Sequence, residues 1–196
     1  MKIQVTLVGT SPLLMHHPQM ADPAFEINRL IKELTAKRKK TDADQAQIGR
    51  LEWFGGIYTM TNGGDKAVVS QPASKVRKCF INTARISKQG KQVERAISFH
   101  DLDVPLQYDG PKELEALYEK EQFRSRLSVG VSGRRIMRVR PRFLPWALVL
   151  NGTFIEDAGL NFDDLERIVE LAGLVEGIGD NRVNGYGRFT GKVKQI

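Results

Sequence analysis

The stretch Gly177-Ile178-Gly179-Asp180-Asn181-Arg182-Val183-Asn184-Gly185-Tyr186-Gly187 contains two Gly-apolar-Gly units, five residues apart, with an arginine between them and Arg188 directly after. Glycine admits positive φ and close approach of backbone to a ligand, and successive bare N–H groups in such a turn form an anion-binding concavity. A guanidinium beside them would complete a phosphate seat, so Gly177, Gly179, Gly185 and Gly187 with Arg182 and Arg188 are expected to bind nucleic acid. A second group lies between Phe123 and Arg142, where Arg124, Arg126, Arg134, Arg135, Arg138, Arg140 and Arg142 stand with no acidic residue among them. Arginine's planar fork suits phosphate and base stacking, and this segment alone equals the net charge of +7. Lys75 and Lys78, on the exposed side of a helix, join the expected contacts.

His16-His17 is the pair that suggests catalysis. One imidazole could take a proton from a ribose 2′-OH, with Arg182, Lys75 or Lys78 stabilising charge at the phosphate. The preferred reading makes both histidines polar contacts or hydrogen bonders to nucleic acid. His100 stands beside Asp101 and Asp103, but neighbours on an extended segment point to opposite faces, so no metal is expected there. No Walker loop or Gly-x-Ser-x-Gly elbow occurs. We expect no cofactor, no metal and no catalytic residue. Trp53, Phe54, Tyr58, Trp146 and Tyr186 are read mostly as core, with Tyr186 the candidate base-stacking ring.

These residues need elements to hold them. Asn161 caps a helix whose Phe162, Leu165, Ile168, Val169, Ala172 and Val175 recur at helical spacing, with Asp163 and Asp164 at the positive end of the dipole. After the glycine loop, Arg188 to Lys194 alternates apolar and basic residues as a strand. Lys2 to Val8 is a first strand. Phe25 to Leu34 and a segment capped by Thr41 and Asp44 read as helices, the first ending in the solvated run Lys37-Arg38-Lys39-Lys40. Asn62-Gly63-Gly64-Asp65 signals a hairpin between 57–60 and 67–69. Pro72 opens a helix to about Ser87, Lys88 begins a less regular middle, and 123–131, 134–142 and 143–154 read as strands turned at Ser132-Gly133.

The skeleton is strand 2–8, helix 72–87, strands 134–142 and 144–155, helix 162–175 and strand 187–194. That order predicts an α+β, ferredoxin-like (RRM-like) βαββαβ antiparallel sheet, two helices on one face and the other face free for nucleic acid. The 196 residues fit a single domain with insertions at about 12–56 and 88–133, and 41% apolar content supports a core. No run of eighteen apolar residues occurs, and the first residues begin directly as a strand, so neither a membrane span nor a secretory signal is expected. The single cysteine, Cys79, excludes an internal disulfide. A cytoplasmic protein is expected.

A Gly-h-Gly-x5-Gly-h-Gly loop between the last helix and last strand of such a domain resembles the signature of the RAMP superfamily of CRISPR-associated proteins. Gly177, Gly179, Gly185 and Gly187 fill its glycine positions, Ile178 and Tyr186 its apolar ones, and Arg182 its basic one. The resemblance covers roughly Phe162 to Val193 well and the rest by element order. It implies either a backbone subunit that multimerises along a guide RNA without chemistry, or a metal-independent guide-RNA-processing endoribonuclease with a histidine base. Processing members usually carry two ferredoxin-like units, and one is recognisable here, which favours the backbone branch. A free-standing viral or mobile-element relative coating single strands would share these features. The expected protein is a non-catalytic RNA- or single-stranded-DNA-binding protein, partnered by copies of itself and by other ribonucleoprotein subunits. The alternatives are a ribonuclease using His16 or His17 and a protein–protein adaptor with a basic surface.

Overall fold

The computed structural model describes residues 1–61, 67–131 and 133–196. The strands are β1 (Lys2–Gly9), β2 (Leu13–Leu14), β3 (Thr59–Thr61), β4 (Ala67–Pro72), β5 (Ile97–Phe99), β6 (Asp103–Pro105), β7 (Gln107–Tyr108), β8 (Arg124–Val131), β9 (Arg134–Phe143), β10 (Trp146–Phe154) and β11 (Phe189–Gln195). The helices are α1 (Glu26–Ala36), α2 (Asp42–Gly56), α3 (Ala73–Ala84), α4 (Gly90–Ala96), α5 (Leu114–Glu119) and α6 (Phe162–Val175). The protein is thus mixed α+β with antiparallel sheets. It divides into two compact units, one of 1–13, 59–109 and 144–196, the other of 14–58 and 110–143. Insertions were expected at 12–56 and 88–133; the second unit's second segment begins and ends later.

In the first unit the sheet runs β11-β1-β10-β5, with β7 also on β10, and every pairing is antiparallel. Alternation decides its faces. Ile3, Val5 and Leu7 of β1 and Trp146, Leu148, Leu150 and Phe154 of β10 are buried, whereas Gln4, Thr6, Val149 and Asn151 are half-buried. Helix α6 sits close on β11, since a Cβ at Gly173 would meet the Phe189 carbonyl oxygen at 1.9 Å. Helix α3 lies beside α6, with Cys79 Sγ 3.9 Å from the Ala172 carbonyl. A smaller sheet, β3-β4-β6, completes the unit. The expected turn at 62–65 lies outside the described residues.

The second unit contains the paired strands β8 and β9 and helices α1, α2 and α5. Thr41 and Asp44 form the anticipated capping box at the start of α2. Strands β8 and β9 pair from Arg124↔Pro141 to Val131↔Arg134.

Two elements correct the sequence reading. Residues 134–142 were expected inside the main sheet; they pair instead with β8 along their length, and β5 takes the place beside β10. A long hairpin satisfies one edge of β9 locally, while β5 has three residues and little periodicity to announce it. Residues 90–96, read as irregular, are helical; only Gly90, Val93 and Ala96 are buried there, too few for a visible apolar stripe. Among the described residues no helix is long and apolar enough to cross a membrane.

Candidate nucleic-acid interface

Beyond α6 the chain takes positive φ at Gly177 (70°), Gly179 (84°), Gly185 (83°) and Gly187 (70°), and at Asn181 (56°). The loop closes on itself, Ile178 N–H donating to the Gly187 carbonyl at 3.0 Å. It is also tied to the turn after β1. Ser11 Oγ donates to the Gly185 carbonyl and accepts from Arg188 N–H, both at 2.8 Å, and Gly187 N–H donates to the Pro12 carbonyl at 2.8 Å. Ser11 is a brace of this loop that sequence reasoning missed, because a serine before a proline reads only as a strand breaker.

The two loop arginines are engaged. Arg182 Nη1 pairs with Glu176, which also accepts from Asn82 Nδ2 at 2.8 Å, and Arg188 Nη2 donates to the Arg182 carbonyl at 3.2 Å. Arg188 Nη1 is buried without a hydrogen-bond partner. The expected phosphate seat is therefore a braced network in which Glu176 already satisfies part of the cationic charge. Beneath it, burial pushes the Cys79 thiol up to about 12, with Glu176 adding to the shift. On α3, Lys75 and Lys78 are exposed, and Lys78 lies four residues before Asn82, on the helix face that reaches Glu176.

The half-open face of the same sheet is the one expected to be free for nucleic acid, although its lysines were not singled out from sequence. Register places Lys2, Gln4 and Thr6 of β1 with Thr153, Asn151 and Val149 of β10, and Gln4 and Thr6 with Lys194 and Lys192 of β11. Lys2, Lys192 and Lys194 are exposed, and the residues of this face on β1, β10 and β11 include no carboxylate and no aromatic ring. Its signal was the apolar–basic alternation of the last strand.

In the second unit, pairing distributes the hairpin arginines over both faces. Arg124, Arg126 and Arg135 share one face, Arg138 and Arg140 the other. Arg126 and Arg135 are exposed; the side chain of Arg134, like Ser132, lies outside the described residues. Arg124 stacks on Tyr118 with its guanidinium 5.1 Å from the ring centre, and Arg142 Nη1 donates to the Gln122 carbonyl at 3.0 Å. Arg138 Nη1 pairs with buried Glu52. A segment without acids in sequence thus finds a carboxylate in space.

His16, Arg138 and Arg140 line a cavity of about 280 Å³ within this unit. His17 Nδ1 accepts from Gln19 N–H at 3.1 Å, capping a short 3-10 turn, and its ring packs 4.7 Å from Tyr58. Its basic nitrogen is occupied structurally. Trp53, Tyr58 and Trp146 are buried, as a core reading requires; Trp53 Nε1 donates to the Phe123 carbonyl at 2.8 Å and Trp146 Nε1 to the Ser11 carbonyl at 2.8 Å. Lys37 pairs with Asp44 at 2.5 Å. His100 Nε2 lies 3.0 Å from Thr153 Oγ1, and no group of three metal-binding side chains occurs among the described residues. Comparison of this chain with protein-family models and with curated proteins gives no match.

Proposed function

We propose that this protein binds RNA or single-stranded DNA through the phosphate backbone, without catalysis, and multimerises along the strand in the cytoplasm as a RAMP-type backbone subunit or a free-standing relative. The observation that carries this reading is the half-open sheet face, where Lys2, Lys192 and Lys194 are exposed and the face residues of β1, β10 and β11 include neither a carboxylate nor an aromatic ring. Lysines supply point charges to phosphates. Because these three strands present no ring, they offer no stacking platform that reads bases, so the chemistry favours backbone contact. A second cationic surface, with Arg126 and Arg135 exposed, and the positive-φ loop favour the same ligand class. The strand order β11-β1-β10-β5, in which first and last strands are neighbours and β5 follows a helical crossover, supports the ferredoxin-like reading.

Fluorescence anisotropy of labelled 20-nucleotide RNA and DNA against salt tests the proposal. Binding is expected to weaken steadily with salt, and Lys192→Ala/Lys194→Ala is expected to weaken it for all sequences alike. Strand affinity that is absent, or indifferent to salt and to this variant, would overturn it. RNA incubated with the protein in EDTA is expected to stay intact. Products ending in a 2′,3′-cyclic phosphate would replace the scaffold with a nuclease.

A further inference from the structure

The cavity of the second unit has a polar lining that phosphate binding does not account for. Its volume of about 280 Å³ lies near the lower end of small-ligand sites, roughly 300 Å³. Met20, Ile31, Val129 and Val139 give it apolar walls. Glu52, also on the lining, is only 6% exposed. One of its oxygens pairs with Arg138 Nη1 and the other accepts from Val139 N–H at 2.8 Å. A carboxylate oxygen has two lone-pair sites and a guanidinium five N–H groups, so both partners keep hydrogen-bonding capacity after these contacts. A carboxylate and a guanidinium held side by side among apolar walls form a recognition edge with acceptors next to donors.

A flat ring between the walls must answer that edge with donors next to an acceptor. Guanine does so with N1–H and N2–H directed to a carboxylate and O6 and N7 to a guanidinium. No other standard base offers two parallel donors. Arg140, on the same lining, puts a cation within the site for a nucleotide's phosphate. We propose that this cavity binds a guanine base, carried on a free guanine nucleotide or within a nucleic-acid strand. Glu52 accepts the ring's donors and Arg138 donates to its acceptors. The inference does not depend on backbone binding by the lysine face.

Titration calorimetry of the full chain with guanosine, GMP, AMP, CMP and inorganic phosphate tests it. Guanosine and GMP are expected to bind saturably, AMP and CMP at least about tenfold more weakly, because a site built for hydrogen bonds penalises a ligand that leaves them unpaired. Glu52→Gln, which turns a donor toward guanine's donors, is expected to lose about tenfold and to abolish the preference over adenine. Ile31→Trp, on a half-buried helix position, fills the cavity while leaving both ion-pair residues unaltered, and is expected to abolish binding while cooperative unfolding persists. A parallel comparison of oligo(U) with the same strand holding one guanine separates the sources. Tighter binding of the latter assigns the base to a strand, and no difference assigns it to a free nucleotide. Absence of saturable guanosine binding, equal binding of AMP, or unchanged binding in folded Ile31→Trp would overturn the proposal. Lys192→Ala/Lys194→Ala is expected to leave guanosine binding intact, so the two readings fail separately.

Discussion

Gly185 and Gly187 share a backbone region for different reasons. A Cβ at Gly187 would meet the Ile178 carbonyl oxygen at 1.7 Å, whereas one at Gly185 would meet nothing within 4 Å. Gly187→Ala therefore combines left-handed strain with a backbone clash and is expected to cost more than about 3 kcal/mol, while Gly185→Ala carries the conformational cost alone, about 1–2 kcal/mol. Urea unfolding of the two variants checks the contrast, and equal losses would mean that the loop is not locked as described. Gly185 is accordingly the position at which a bulkier residue tests ligand approach rather than folding. Below the loop, the Cys79 thiol, raised to about 12 by burial, stays protonated at every ordinary pH. A thiol-specific reagent at pH 8 is expected to leave Cys79 unmodified in the native protein and to modify it fully in denaturant. Reaction of the folded protein at the rate of a free thiol would refute the packing around it. The glycine spacing was legible because glycine's backbone freedom is intrinsic to the residue. The engagement of Arg182 with Glu176 was less so: the partners are six residues apart, and only the turn of the loop brings them together.

Helix α2 shows what local chemistry can decide. Its capping box and its pairing with Lys37 hold the Asp44 carboxyl at about 2, below its ordinary 3.8; the Lys37 hydrogen bond is the largest cause and the Thr41 backbone N–H the next. A depressed acid contributes stability above its unfolded pKa and loses it as pH falls through the folded value. The difference in urea midpoint between wild type and Asp44→Asn is therefore expected to be constant at neutral pH and to shrink as pH falls from about 4 to about 2. A difference unchanged across that window would show that the carboxylate charge contributes nothing. Such caps, like the periodicity of α6, lie within a few residues of sequence and could be read there. Sheet membership could not. Whether β9 joins β10 or β8 is a competition between two neighbouring edges, each one short turn away, and alternation along β9 does not rank them. Glu52 was invisible as a site residue because its partners are 86 and 87 residues away.

At the scale of the whole molecule the excess of positive charge is carried in patches, and the patches predict how binding responds to ions. Each phosphate neutralised on a single strand contributes roughly −0.7 to the slope of log K against log salt. Removing two phosphate contacts with Lys192→Ala/Lys194→Ala should therefore make the slope shallower by about 1.4, and Arg126→Ala/Arg135→Ala should do the same on the second unit. Arg138→Ala is a different experiment. It strips buried Glu52 of its cation, so its effect on binding mixes with lost stability, and the exposed Arg126 and Arg135 are the cleaner probes. Multimerisation adds a length dependence that charge alone does not produce. If neighbouring copies touch along one strand, affinity per protein rises with strand length and complexes grow in steps of one protomer; independent binding gives occupancy proportional to length with constant affinity. Mass measurement of complexes on strands of 10, 20, 40 and 80 nucleotides, at a salt concentration where the shortest is half-bound, is expected to show stepwise growth with tightening affinity. A single 1:1 complex on the longest strand would retain strand binding and exclude assembly along it.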